Sequence, residues 1–259
     1  MDGIWSWPLA VIVIGLLLAM LAAHEFGMWG HGKLKGRADN KKSGSSDEGF
    51  ILSGVLGLLA LLMAFSFSMS LNRFETRRDL MLRETSALGN LSMVSKAAKG
   101  ASAQAIDPAL RQYAEARLQA VQLPEGADRA AAQRTAEGLR GPLRAVVERT
   151  VIENAGTTSA TAVASAYDAL EDSAVRRDAM AAAHLPERVL WLLAVYCIVS
   201  AAMLGYAVSA SGSRHRVAST SFYLLLSLAF GTMLDLDRPR SGAITVPQEP
   251  FADAVRSLG

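Results

Sequence analysis

One cysteine in 259 residues, Cys197, excludes an intrachain disulfide and any cysteine-based metal cluster. It lies inside an apolar run and reads as a small buried hydrophobe. Charge of one sign is missing as well. The 26 Lys and Arg are nearly matched by 24 Asp and Glu, interspersed along the chain. The basic stripe of a nucleic-acid binder is therefore absent, and no nucleic-acid partner is expected. There is no Gly-x-Ser-x-Gly, no phosphate loop and no carboxylate pair on a catalytic scaffold, so neither an enzyme nor a cofactor is expected. His24, His31 and His215 fit no metal-ligand spacing and read as snorkelling or solvated side chains, so no metal site is expected. No stretch shows a strand period.

Four long apolar runs are present: Ile4 to Ala23, Phe50 to Leu71, Val189 to Val208 and Val217 to Leu234. About 18 or more mostly apolar residues can cross a bilayer core as a helix. The first run lacks the basic residues that open a signal peptide, and Trp5, Trp7 and Trp29 at its ends suit an aromatic belt. It reads as a retained span. The fold class is all-α, with four transmembrane helices and a helical domain inserted between spans 2 and 3. The divisions are span 1 at 1–29, a basic flexible loop at 30–49, span 2 at 50–71 and a helical soluble domain at 72–188. Span 3 at 189–208, a short basic loop at 209–216, span 4 at 217–236 and a tail at 237–259 complete the chain.

The loop before span 2 holds Lys33, Lys35, Arg37, Lys41 and Lys42, and the loop after span 3 holds Arg214, His215 and Arg216. Basic residues in short loops favour the cytoplasm. The expected topology in the plasma (inner) membrane therefore has both short loops inside and the helical domain outside. Arg73, Arg77, Arg78, Arg83, Arg176, Arg177 and Arg188 pull the other way. That domain exceeds the length of about 60 residues over which loop charge decides orientation.

Within the middle segment, span 2 is expected to continue as one helix through Lys99, because no proline interrupts it. Asp107-Pro108 reads as an N-cap followed by proline at the first helical position. Pro124 to Gly126 ends that helix. Gly138 and Gly141-Pro142 are expected to interrupt or kink the next, and a last helix starts near Thr158. The Ala-rich composition suggests close helix packing and a core completed by neighbouring subunits, hence a homo-oligomer.

Two constellations carry the functional expectation. In span 2, small residues (Ser53, Gly54, Gly57, Ala60, Ala64) suit close helix packing in lipid. Ser66, Ser70, Arg73 and Arg77 then fall at helical spacing, so one face turns polar and positive toward the domain. Ser66, Ser70, Asn72 and Arg73 are the candidate pore-lining residues of an anion path; the bland reading is a helix leaving the membrane. Spans 2 and 4 end on the same membrane face. Asp235 and Asp237, next to Arg238, are therefore expected to form a charge clamp with Arg73, Arg77 and Arg78.

Three segments resemble a known family. They are Gly54 to Arg78, with Phe65-Ser66-Phe67-Ser68 and Asn72-Arg73-Phe74-Glu75-Thr76-Arg77-Arg78, then Arg214-His215-Arg216, and the tail motif Asp235-Leu236-Asp237-Arg238-Pro239-Arg240 with Gly242, Gln248 and Pro250. This combination resembles the bacterial and plant bestrophin-like family of unknown function, over most of Gly49 to Pro250. The resemblance implies the same four-span layout with an inserted helical domain. True bestrophins are pentameric anion channels, and the shared layout carries that activity here only as analogy. The chain departs from the family pattern after Arg78, reading Arg83-Glu84-Thr85-Ser86 through Asn90 where a Glu-Glu pair and Asn are common.

The leading expectation is an oligomeric, anion-selective ion channel or channel-like permeation protein, with the lipid bilayer, its own copies and small inorganic ions as partners. The alternative is a non-conducting membrane scaffold or envelope sensor that presents its helical domain to a partner protein.

Overall fold

The computed structural model describes residues 7–35, 45–124, 126–211, 216–238 and 242–258. Ile4 and Trp5, the loop residues Arg37, Lys41, Lys42, Arg214 and His215, and Pro239 and Arg240 of the tail motif lie outside the described residues. Eight α-helices follow in chain order among the described residues: α1 Leu9–Lys35, α2 Ser45–Ser95, α3 Ala101–Gln122, α4 Ala127–Glu153, α5 Thr158–Ala182, α6 Glu187–Ser211, α7 Arg216–Asp237 and α8 Glu249–Ser257. No strand occurs among the described residues. The fold is all-helical, and four helices among the described residues are long and apolar enough to cross a membrane. Two compact units divide it. One comprises residues 1–72 with 184–238, the other 73–183 with 239–259.

The membrane unit holds α1, the first part of α2, α6 and α7. Its core is built from Met20, Leu59, Leu190, Cys197, Tyr223 and Met233. Leu18, Leu61, Phe65, Leu192 and Leu225 point outward, as helices surrounded by lipid require. Proline leads two of the spans: the Pro8 carbonyl accepts from the Val11 and Ile12 amides, and the Pro186 carbonyl from Val189 and Leu190. α1 and α6 approach backbone to backbone. A Cβ added at Gly27 would overlap the Ala202 carbonyl, and one at Gly205 would overlap the His24 carbonyl. Glycine at both points permits the close packing that joins helices in lipid.

The helical unit holds the rest of α2 with α3, α4, α5 and α8. α2 is a single helix of 51 residues that runs unbroken from membrane to domain. The core of this unit gathers Leu88, Leu91, Ile106, Leu110, Leu143 and Val163.

One helix start and one expected interruption differ from the sequence expectation. α3 begins at Ala101, ahead of Asp107, and Pro108 lies in its interior. Gly100, at φ 102°, makes the turn that starts it. Asp107 does not cap the helix; it accepts a hydrogen bond from Ser95 at 3.4 Å and lies 3.7 Å from Lys96 Nζ, tying α3 to the end of α2. α4 likewise runs unbroken through Gly138 and Gly141-Pro142. The buried Leu143 and Val147 hold it in place, and packing of an apolar face outweighs local propensity. α5 does start at Thr158, capped by the Thr157 hydroxyl accepting from the Ala160 amide at 3.2 Å. The C-terminal residues read only as a tail contain α8, whose Phe251 and Val255 are buried in the core of the helical unit.

Candidate functional site

The stretch of α2 that leaves the membrane has two sides. Ser66 and Ser70 are buried in the protomer, and the Ser70 hydroxyl has no hydrogen-bond partner among the described residues. Phe65, Phe67, Ser68, Leu71 and Asn72 are exposed, and Arg73 is half-buried. Upstream on the open side lie Ser53, Gly57, Ala60 and Ala64. At Gly54 and Gly57 an added Cβ would meet only open space.

The expected charge clamp divides between the units, with Arg73, Arg77 and Arg78 in the helical unit and Asp235, Asp237 and Arg238 in the membrane unit. The buried Arg77 donates from Nη2 to the Ala183 carbonyl at 2.8 Å and from Nε to the Met180 carbonyl at 3.4 Å. It thereby closes the C-terminus of α5, where orphan carbonyls and the helix dipole favour a cation. Arg78 is exposed. At the end of α7, Asp235 and Asp237 are buried. Asp237 Oδ2 accepts from the Leu185 amide at 2.7 Å and lies 3.8 Å from His184 Nδ1. The next residue, Arg238, donates from Nη2 to the Trp7 carbonyl at 2.6 Å. One corner of the membrane unit is thus fastened at three chain ends: the end of α7, the lead-in to α6 and the start of α1.

A second constellation escaped the sequence reading. Glu84, fully buried on α2, accepts from Arg117 of α3 at 3.0 and 3.1 Å and from Arg177 of α5 at 2.7 Å. Arg117 also donates to Asp178 at 2.6 Å, and Asp178 accepts from Arg140 of α4 at the same distance. Arg177 reaches Gln248 at 2.8 Å and lies over the Phe251 ring, 4.9 Å from its centroid. Four helices and the tail therefore meet on one charge network. Burial opposes the charge on Arg117 most strongly, yet Glu84, Tyr113 and Asp178 together outweigh it and hold the pKa above the ordinary value. Burial pushes the neighbouring Tyr113 hydroxyl up. A signal existed in the sequence: Glu84, Arg117 and Arg177 each sit at an apolar-stripe position, beside Leu80 and Leu88, Leu110 and Tyr113, and Leu170 and Ala174. Charged residues at such positions are almost never fully buried unless paired.

The histidines differ in part from the sequence expectation. His24 is neither solvated nor snorkelling. It is buried, with Nδ1 2.8 Å from the Tyr223 hydroxyl, which also donates to the Ala201 carbonyl at 3.3 Å. This places a polar bridge between α1, α6 and α7 inside the membrane unit, where each buried polar group needs a partner. His31 is half-buried against the Tyr206 ring, with centroids 4.9 Å apart.

The bestrophin-like domain model matches residues 18–251 of the chain. No curated protein matches it. The fold is similar to crystal structures of mutated forms of a bacterial bestrophin homolog from Klebsiella pneumoniae. One has a TM-score of 0.67 at 15% identity and another 0.67 at 16%, each covering 95% of this chain and 97% of the other. A crystal structure of a mutated membrane protein gives a TM-score of 0.68 at 14% identity over 96% and 97% of the two chains. Identities this low show a shared fold. The domain match, which spans most of the sequence, shows more: the chain belongs to the bestrophin-like family.

Proposed function

We propose that the protein is an oligomeric ion channel, anion-selective, whose permeation path is bounded by α2 from several copies. The observation that carries this reading is α2 itself. It is one unbroken helix of 51 residues, its membrane part has a small-residue open side, and at its exit it enters the basic cluster of Arg73, Arg77 and Arg78. A positive ring at the mouth of a polar path favours anions.

The proposed lining set is Ser66, Ser70, Asn72 and Arg73. Asn72 is exposed and Arg73 half-buried, whereas Ser66 and Ser70 are buried within the protomer. A lumen between copies meets Asn72, Arg73 and the exposed Ser68 first, and reaches Ser66 and Ser70 when α2 rotates. The test is thiol accessibility during ion flux. A reagent reacts with Ser68→Cys or Asn72→Cys at rest and blocks the flux that follows, while Ser66→Cys and Ser70→Cys react only under conducting conditions. Equal and immediate reaction at Ser66 and Ser70 contradicts this arrangement.

The proposed topology keeps both short loops in the cytoplasm and the helical unit outside the inner membrane. The scaffold reading is favoured by one feature, the exposed apolar side chains Met93, Ile152 and Val175 on the helical unit. It predicts a co-purifying protein held through that unit, and no effect of Ser66 or Ser70 substitution.

A further inference from the structure

Between α1 and α6 the membrane unit carries an open apolar crevice of about 460 Å³, within the size range of small-molecule sites. Its walls include Val11, Gly15 and Ala19 of α1 with Ala194 and Ile198 of α6, and Phe230 of α7 also lines it. Small residues make the depth: a Cβ added at Gly15 would meet nothing within 4 Å. Trp7 and Trp191 line one end, 57% and 58% exposed, and Glu187 lies beside them, followed by the exposed Arg188. Tryptophans with an apolar body and a polar N–H settle at headgroup level. The end with Trp7 is also built firmly, since the buried Arg238 holds the Trp7 carbonyl at 2.6 Å.

We infer that this crevice is a specific phospholipid site. One acyl chain lies between α1 and α6, and an ammonium-bearing headgroup, as in phosphatidylethanolamine, sits at Glu187. The surroundings commit the occupant. The crevice opens from helices that span the bilayer, its interior is apolar, and among the described residues its single titratable lining group is a carboxylate at the tryptophan end. A carboxylate complements an ammonium headgroup and repels a purely anionic one. Arg188, adjacent in sequence, suits the lipid phosphate.

The test is native mass spectrometry of the full-length protein, purified in mild detergent and supplied with phosphatidylethanolamine or phosphatidylglycerol of identical chains. Wild type is expected to retain phosphatidylethanolamine preferentially. Gly15→Leu and, independently, Ala194→Leu fill the crevice and lower retention about tenfold, or ~1.4 kcal/mol. The control Val199→Leu, at a lipid-facing position outside the crevice, leaves retention unchanged. Glu187→Gln keeps the chain but loses the headgroup preference. If a filling variant fails to fold, quenching of wild-type tryptophan fluorescence by chain-brominated phosphatidylethanolamine gives the same answer. Equal retention of the two lipids, unchanged retention in both filled variants, or a Val11→Cys cross-link showing a second copy seated in the crevice overturns the assignment.

Discussion

Glu84 and Arg117 form a two-bonded ion pair in the interior of the helical unit, Nε to Oε1 at 3.0 Å and Nη2 to Oε2 at 3.1 Å, with both side chains more than nine-tenths buried. Without Arg117, Glu84 keeps only Arg177, and without Glu84, Arg117 keeps only Asp178, so either loss leaves buried charge short of a partner. Removing one partner of a buried pair costs about 3–5 kcal/mol, whereas replacing both with apolar groups can be nearly neutral. Glu84→Ala and Arg117→Ala are each expected to lower the melting temperature in detergent sharply, and the double variant to lose less than the sum of the two. If both single variants melt like wild type, the network does not hold the helical unit together.

Asp237 is expected to be the more sensitive of the two carboxylates at the end of α7, because its Oδ2 accepts the Leu185 amide at 2.7 Å. Asp237→Ala strands that buried N–H, a loss of about 1–3 kcal/mol. We propose in addition that Asp235 or Asp237 pairs with Arg73, Arg77 or Arg78. A double-mutant cycle between each Asp and each Arg, scored by melting temperature, gives a coupling term if the pairing exists. Additivity in every combination refutes the clamp.

Glycines in the membrane unit fall into two kinds, and substitutions separate them. Gly27 has the Ala202 carbonyl where a Cβ would go, so Gly27→Ala must push α1 away from α6 and is expected to reduce the yield of folded protein severely. Gly57 has open space on the exposed side of α2. Gly57→Leu is therefore expected to leave the protomer folded and to weaken association between copies, read by light scattering in detergent. An unchanged oligomer with Gly57→Leu moves the subunit contact away from this side of α2.

Membrane orientation is tested by reporter fusions. Fusions at Ser45 and Gly212 are expected to report the cytoplasm, and one at Gly126 the outside. A cytoplasmic signal at Gly126 contradicts the loop-charge argument and draws the layout closer to that of bestrophins.

How much of this was legible in the sequence follows from the range of the forces involved. Spans were readable because a bilayer demands apolar length, and the unbroken α2 because no proline falls between Phe50 and Lys99. The helix start near Thr158 and the break at Pro124 were local signals of the same kind. Pro108 misled as a helix start, and Pro142 does not interrupt α4, because a proline inside a helix forfeits one backbone bond, which tertiary packing of Leu110 or Leu143 on the same helix can offset. The burial of Ser66 and Ser70 was hidden since the polar face they form with Arg77 turns toward the protomer interior, and sequence spacing fixes a face without fixing its neighbour. His24 was misread for the same reason: Tyr223, almost two hundred positions away, supplies its partner. Glu84, Arg117 and Arg177 stood at apolar positions on three helices, a visible anomaly whose pairing only the fold could reveal.

The proposed activity is the conduction of anions along α2. It is tested most directly by measuring chloride flux from liposomes containing the purified protein, across several voltages and pH values. Wild type is expected to pass chloride above the level of empty liposomes, and Arg73→Glu to shift selectivity toward cations while leaving the protein folded. Flux indistinguishable from empty liposomes under all conditions, or an unaltered chloride preference in Arg73→Glu, contradicts it.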